Sequence, residues 1–188
     1  MTSNGMNQKS KLLHKIRYTV YVTTSIDGRI AKNAKSGADW TSKEDWNFFQ
    51  TSLTKIDAVV VGRNTYQVAK VHLQRRKTIV LTSKVDKPKI KDSTIFFNPE
   101  KSDLKKFLQS QKYKKVAILG GPKVYNFFLK NKMLDELFVT IEPYIFTVGI
   151  PMFFGDKFEK YKFSLQSIKK LNKNGTILLK YEYENKSD

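Results

Sequence analysis

The chain has no cysteine, which excludes a disulfide framework, a thiolate metal site and a cysteine nucleophile together. Histidine is nearly as scarce. His14 and His72 are the only imidazoles, which argues against a histidine-based metal centre, and no metal is expected. No apolar run approaches the roughly 18 residues that span a bilayer. Residues 1–15 hold no hydrophobic stretch resembling a secretion signal and read as a loose basic leader, so the expected location is cytoplasmic, with no membrane partner. Acidic residues are few, 17 against 35 Lys and Arg, for a formal charge of +18. Only five of those cations are arginine (Arg17, Arg29, Arg63, Arg75 and Arg76), and the lysines are spread along the whole chain. Specific nucleic-acid readers use arginine forks and aromatics interleaved with basic residues. The pattern here is a lysine-coated surface, which suits an anionic small molecule and predicts no specific nucleic-acid partner.

What is present suits one packed domain. The 188 residues are 40% apolar, with 13 Phe, 9 Tyr and 2 Trp, and a chain of this length buries roughly 70% of its unfolded surface. Tyr18–Thr23 is β-branched and aromatic and reads as a first strand; Ser25–Asp39 reads as a loop. Thr41 or Ser42 can cap a helix whose first turn carries Glu44 and Asp45 and whose inner face is Trp46, Phe49 and Leu53. Continuous apolar strands follow at Ala58–Val61, Thr78–Leu81, Thr94–Phe97, Val116–Leu119 and Leu137–Ile141. Helices are expected at Asn64–Ala69, Ser102–Gln111 and Lys123–Lys130. Asn174-Gly175 signals a terminal hairpin between Phe163–Leu171 and Thr176–Tyr183. Strands apolar on both faces that alternate with helices predict an α/β domain, a largely parallel sheet covered on both sides, over residues 16–185.

Two strand-to-helix turns carry candidate chemistry: Gly62-Arg63-Asn64-Thr65 and Gly120-Gly121-Pro122-Lys123. Glycine lets a phosphate approach the backbone, and a helix start offers unpaired N–H groups at a positive dipole end. Arg63 and Lys123 add charge. In open α/β sheets ligands bind at the carboxyl ends of strands, where both turns fall. Together they suggest a nucleotide spanning the two, although the GxGxxG fingerprint is absent.

Ser25-Ile26-Asp27-Gly28-Arg29-Ile30-Ala31, Asp57–Gly62 and the Gly-Gly turn resemble the reductase domain of bacterial riboflavin-biosynthesis deaminase-reductases, which shares its fold with dihydrofolate reductase. The resemblance covers residues 17–184 and implies a single-domain, three-layer α/β fold with a mostly parallel mixed sheet and a C-terminal antiparallel hairpin. Three spacings resemble dihydrofolate reductase in particular. Trp40 is followed five positions later by Asp45 and then by Phe49, as that family spaces its tryptophan, pocket carboxylate and substrate-contacting phenylalanine. Gly62-Arg63-Asn64-Thr65-Tyr66 resembles its phosphate-binding motif, and Arg76–Ser83 a strand whose arginine grips a folate carboxylate. Gly149-Ile150-Pro151-Met152-Phe153 is closer to the riboflavin-pathway side, although Val68–Arg75 lacks that branch's Asp-Pro-x-Leu-Thr-x-Arg stretch.

The resemblance implies NADPH as cofactor and a pterin as substrate, most directly 7,8-dihydrofolate. A pyrimidine ribosyl phosphate of riboflavin biosynthesis is the alternative, and a homodimer is compatible with either. Asp45 would be the catalytic acid, desolvated, pairing with the heterocycle's amino edge and favouring protonation beside the reduced carbon. Val22, Thr23, Phe49, Leu73, Arg76, Leu119 and Thr140 would line the substrate pocket, Thr140 bonding the pocket acid. Gly62, Arg63, Asn64, Thr65, Gly120, Gly121 and Lys123 would meet the cofactor phosphates. Leu81, Thr82, Ser83 and Lys84 would flank the adenosine, Ser83 and Lys84 joining Arg63 at its 2′-phosphate. Ala31, Val124 and Tyr125 would complete the cofactor side, Tyr125 near the nicotinamide.

Overall fold

The computed structural model describes residues 15–184, so the leader expected at residues 1–15 lies, but for Lys15, outside the described residues. In chain order the elements are β1 (Arg17–Thr24), β2 (Arg29–Ala31), α1 (Lys43–Leu53), β3 (Ala58–Gly62), α2 (Arg63–Leu73), β4 (Thr78–Leu81), β5 (Lys89–Lys91) and β6 (Thr94–Phe97). They continue with α3 (Leu104–Ser110), β7 (Lys115–Ile118), α4 (Pro122–Lys130), β8 (Glu136–Ile141), β9 (Ile150–Pro151), β10 (Phe163–Lys170) and β11 (Ile177–Tyr183).

Nine strands form one sheet in the order β10-β11-β8-β1-β7-β3-β4-β6-β5. The six from β8 to β6 are parallel; β11 and β5 run against them, and β10 pairs antiparallel with β11 at one edge. This is the expected mostly parallel α/β sheet with a C-terminal hairpin. Successive side chains of a strand point to opposite faces, and β3 shows the consequence. Val60 belongs to the core layer with Val20, Ile79, Phe97, Ile118 and Phe128, whereas Val59 and Val61 join Leu53, Leu73, Val80 and Ala117 on the other side. Both layers are dry, so β3 has to be apolar at every position. Each valine so buried contributes about 1.5–3 kcal/mol of transfer free energy.

Several boundaries differ from the sequence reading. Helix α2 runs on to Leu73 because that side chain anchors it in the second core layer. The short strands β2, β5 and β9 were not expected; with two or three residues each they show no alternation and exist only through their pairing partners. Ser42, not Thr41, is the N-cap of α1. The terminal turn is longer than a two-residue Asn-Gly loop. Leu171 N donates to Thr176 O, and Asn172 Oδ1 accepts from the amides of Asn174 and Thr176, while Gly175 takes the left-handed conformation at φ +102°.

Candidate functional site

The two strand-to-helix turns meet at the carboxyl ends of β3 and β7. Gly62 N donates to Gly120 O at 2.8 Å, and Leu119 N donates to Val60 O at 2.9 Å. Gly62 and Gly120 leave little room for a side chain in this saddle. A Cβ on Gly62 would lie 3.2 Å from Val124, and one on Gly120, at φ +110°, would lie 2.8 Å from the Tyr125 hydroxyl. The helices that start here differ from the other two. The N-termini of α1 and α3 are capped by Ser42 and Asp103, whose side chains accept from the amides of Asp45 and Lys106. Those of α2 and α4 have glycine caps, no side-chain cap bond and no acidic residue in the first turn. Two adjacent uncapped helix starts, with exposed Arg63 and Lys123 beside them, form a cradle for an anion such as a pyrophosphate.

From this saddle a cleft of about 1250 Å³ runs to the N-terminal turn of α1, and every residue expected at the substrate or cofactor site lines it. On the far wall Asp45, 6% exposed, accepts a hydrogen bond from Thr23 Oγ1 at 2.7 Å. Burial pushes its carboxyl above the usual range. The hydroxyls of Thr140, Thr23 and Thr41 act in the opposite direction, and the negative charge of Glu142 adds to the rise. Thr140 thus stands near the acid, and the hydrogen bond to its carboxylate comes from Thr23.

An aromatic wall stands beside it. Tyr21 and Phe138 stack at 5.2 Å, Phe48 packs 5.5 Å from Phe138, and Phe49 lies edge-on to Tyr21 at 6.3 Å. Tyr21, Phe48 and Phe138 were not among the expected site residues. The signal was available for two of them: Tyr21 precedes Thr23 by two on β1, and Phe138 precedes Thr140 by two on β8, so each ring shares its threonine's face. The expected inner face of α1 also looks into this cleft, with Leu53 buried but Trp46 still 39% exposed at the mouth, in edge contact with His72.

Two residues sit differently from expectation. Trp40 does not stand beside Asp45 in the cleft. It precedes the N-cap, where the chain is not yet helical, and packs edge-on against Phe146 at 4.8 Å in an adjoining polar depression. Arg76 lines the cleft, but its guanidinium donates to Leu53 O at 3.0 Å and Gln50 Oε1 at 3.3 Å, so it also ties down the end of α1. A buried carboxylate went unnoticed as well. Glu142, 2% exposed, accepts from Ser42 N at 2.6 Å and from Thr176 Oγ1 at 2.7 Å. In the sequence it lies just past an apolar run and before Pro143, where nothing local marks it as buried. Tyr125 is buried, its hydroxyl 3.5 Å from Tyr21 O, and burial pushes its phenol well above the usual range. Among the described residues no group of three or more His, Cys, Asp or Glu could hold a metal ion, and no helix is long and apolar enough to cross a membrane.

Comparison with known proteins agrees with this fold. The chain is 30% identical over 142 residues to the uncharacterized protein YwjB of Bacillus subtilis (strain 168), covering 71% of this chain and 80% of that one. A pyrimidine reductase-like protein from Corynebacterium diphtheriae superposes with a TM-score of 0.74 at 18% identity, covering 90% of this chain and 92% of that one. RibD of Acinetobacter baumannii gives 0.75 at 16% identity, covering 91% of this chain and 59% of that one. Dihydrofolate reductase of Enterococcus faecalis, complexed with NADP(H), gives 0.64 at 21% identity, covering 90% of this chain and 97% of that one, which is a likeness of fold. The RibD C-terminal domain model matches residues 17–177, and the chain belongs to that family.

Proposed function

We propose that this chain is an NADPH-dependent reductase of a small nitrogen heterocycle, of the riboflavin-pathway kind that reduces a ribosylaminopyrimidine phosphate. The family match favours this branch over the folate branch, to which the spacing of Trp40, Asp45 and Phe49 first points. The observation that carries the proposal is the single cleft joining the glycine saddle to Asp45. At about 1250 Å³ it exceeds the roughly 300–1,000 Å³ of a one-ligand pocket, as a site for a dinucleotide and a second molecule must.

The residues present fit a nicotinamide dinucleotide. The glycine saddle presents bare backbone, and the two helix starts beside it have no side-chain cap. Arg63, Ser83 and Lys84 would hold the 2′-phosphate, Thr65 and Lys123 the bridging phosphates, and Leu119 and Tyr125 the nicotinamide side. When bound, the cofactor supplies a hydride. Asp45 would accept from the N–H edge of the heterocycle and fix its orientation, and its charge would favour a proton on the nitrogen next to the carbon being reduced: the exocyclic amino nitrogen beside ribosyl C1′ of a ring-opened ribosylaminopyrimidine, or a ring nitrogen of a pterin. The aromatic wall of Tyr21, Phe48 and Phe138 offers a planar ring a stacking surface and keeps water from the acid.

Dihydrofolate is the second reading. It rests on Asp45, Phe49 and Thr140 lining one wall, and on the absence of the ribose-phosphate stretch from residues 68–75, which form the second half of α2 and the turn after it. An absorbance assay of NADPH consumption with each substrate decides. Turnover of the ribosylaminopyrimidine phosphate supports the first reading, and turnover of dihydrofolate alone supports the second. No turnover with either overturns both.

A further inference from the structure

We propose that Glu142 is the positioning residue of this site: it fastens the first turn of α1, and with it Asp45, to the end of β8 and to the C-terminal hairpin, and it places a fixed negative charge behind Asp45. The proposal rests on the reading of Asp45 as the substrate-facing acid.

Thr140 and Glu142 are two residues apart at the end of β8, so they share a face, and that face meets the start of α1. The two side chains grip the helix at adjacent points. Thr140 stands beside the Asp45 carboxyl, and its hydroxyl favours the charged form. Glu142 Oε1 accepts from Ser42 N at 2.6 Å, and Ser42 Oγ in turn accepts from Asp45 N at 3.3 Å. The N-cap that sets the position of Asp45 is thus itself held by Glu142. The other oxygen, Oε2, accepts from Thr176 Oγ1 at 2.7 Å, and Asn172 Nδ2 donates to that hydroxyl at 2.8 Å and to Glu44 at 3.3 Å. The backbone fixes the carboxylate as well, since Glu142 N donates to Thr24 O at 2.8 Å. A 2% exposed carboxylate is costly unless its oxygens are bonded, and its two oxygens are bonded to the cap of α1 and to the hairpin turn.

The surroundings of Asp45 make the charge felt. Thr23 from β1, Thr140 from β8 and Thr41 before the cap supply hydroxyls, Glu44 beside it on α1 is exposed, and Glu142 is the one charged neighbour acting on it. Removing that charge while keeping the shape should let Asp45 ionise more readily.

The experiment uses the whole chain without ligand. The Asp45 carboxyl is titrated by carbon NMR of protein labelled at aspartate carboxyls, its signal identified by its loss in Asp45→Asn, and the exchange of the Ser42 amide is followed in parallel. Glu142→Gln retains an acceptor for Ser42 N. It should move the Asp45 midpoint to lower pH and leave Ser42 protected. Glu142→Ala should speed Ser42 exchange by about tenfold or more, as loss of a bond to a charged group implies. Should Glu142→Ala fold poorly, Thr176→Val loosens the carboxylate from the hairpin alone and should speed the same exchange by a smaller factor. An unmoved or raised midpoint in Glu142→Gln overturns the electrostatic role, and unchanged Ser42 exchange in both other variants overturns the clamp. Full activity of Asp45→Asn would instead overturn the reading of Asp45, an outcome separable from these because neither measurement requires turnover.

Discussion

With Asp45 proposed as the substrate-facing acid, its burial makes a double prediction. Asp45→Asn keeps the shape but removes the charge that orients a heterocycle and favours its protonation. Turnover should fall by about 10²–10³, while NADPH affinity, measured by calorimetry, stays unchanged because the acid lies across the cleft from the saddle. The same substitution should stabilise the fold. Burial holds the Asp45 carboxyl above its ordinary value, so its neutral form is the one the folded state favours. That contribution is fully present below the unfolded-state pKa and is lost as pH rises through the higher folded-state value. At pH 7 the Asn variant should therefore melt a few degrees higher than the parent, with the gap closing in acid; a lower Tm at pH 7 contradicts the assignment. On the other wall, Arg63→Ala should weaken NADPH by about tenfold, as loss of a charge-assisted bond does, and leave NADH unaffected. Equal losses for both cofactors would remove Arg63 from the 2′-phosphate.

At the scale of elements, the two glycine turns bring the site together. The backbone bond from Gly62 to Gly120 ties the starts of α2 and α4, so one wrong side chain disturbs both. Gly120→Ala would place a Cβ 2.8 Å from the Tyr125 hydroxyl at a φ of +110°. It should cost on the order of 1–3 kcal/mol of stability and weaken NADPH more than Asp45→Asn does; chemical denaturation and calorimetry check the two parts. These turns were legible as strand-to-helix junctions because each glycine stands between an apolar run and a helix start. The short strands β2 and β9 were not, since their pairing of Arg29 with Pro151 and of Ala31 with Ile150 is visible only once distant segments meet. Trp40 misled for a related reason: its spacing to Asp45 matched a motif, yet the chain just before the N-cap is free to turn the indole toward Phe146.

For the molecule as a whole, the charge of +18 is the property most open to misreading. The cations that line the cleft, Arg63, Lys84 and Lys123 among them, suit an anionic cofactor. The remaining lysines form a diffuse coat with no arginine forks. In a mobility-shift series, binding to nucleic acid should be weak and vanish by roughly physiological ionic strength. Tight, sequence-dependent binding at that salt would reopen the nucleic-acid reading.

Composition and pattern determined the α/β class, the parallel strands, the terminal hairpin and the two glycine turns between strand and helix, because each depends on residues close together in the chain. Apolar runs must be buried on both faces, and glycine must stand where no Cβ fits. What required the tertiary structure was everything that depends on residues a hundred positions apart. Arg76 engages the end of α1, Tyr21 and Phe138 wall the pocket from neighbouring strands, and Glu142 reaches back to Ser42. Burial decides whether a carboxylate is a solvated turn acid or a fixed charge behind a reacting one, and burial is a property of the packed chain, which no local spacing encodes.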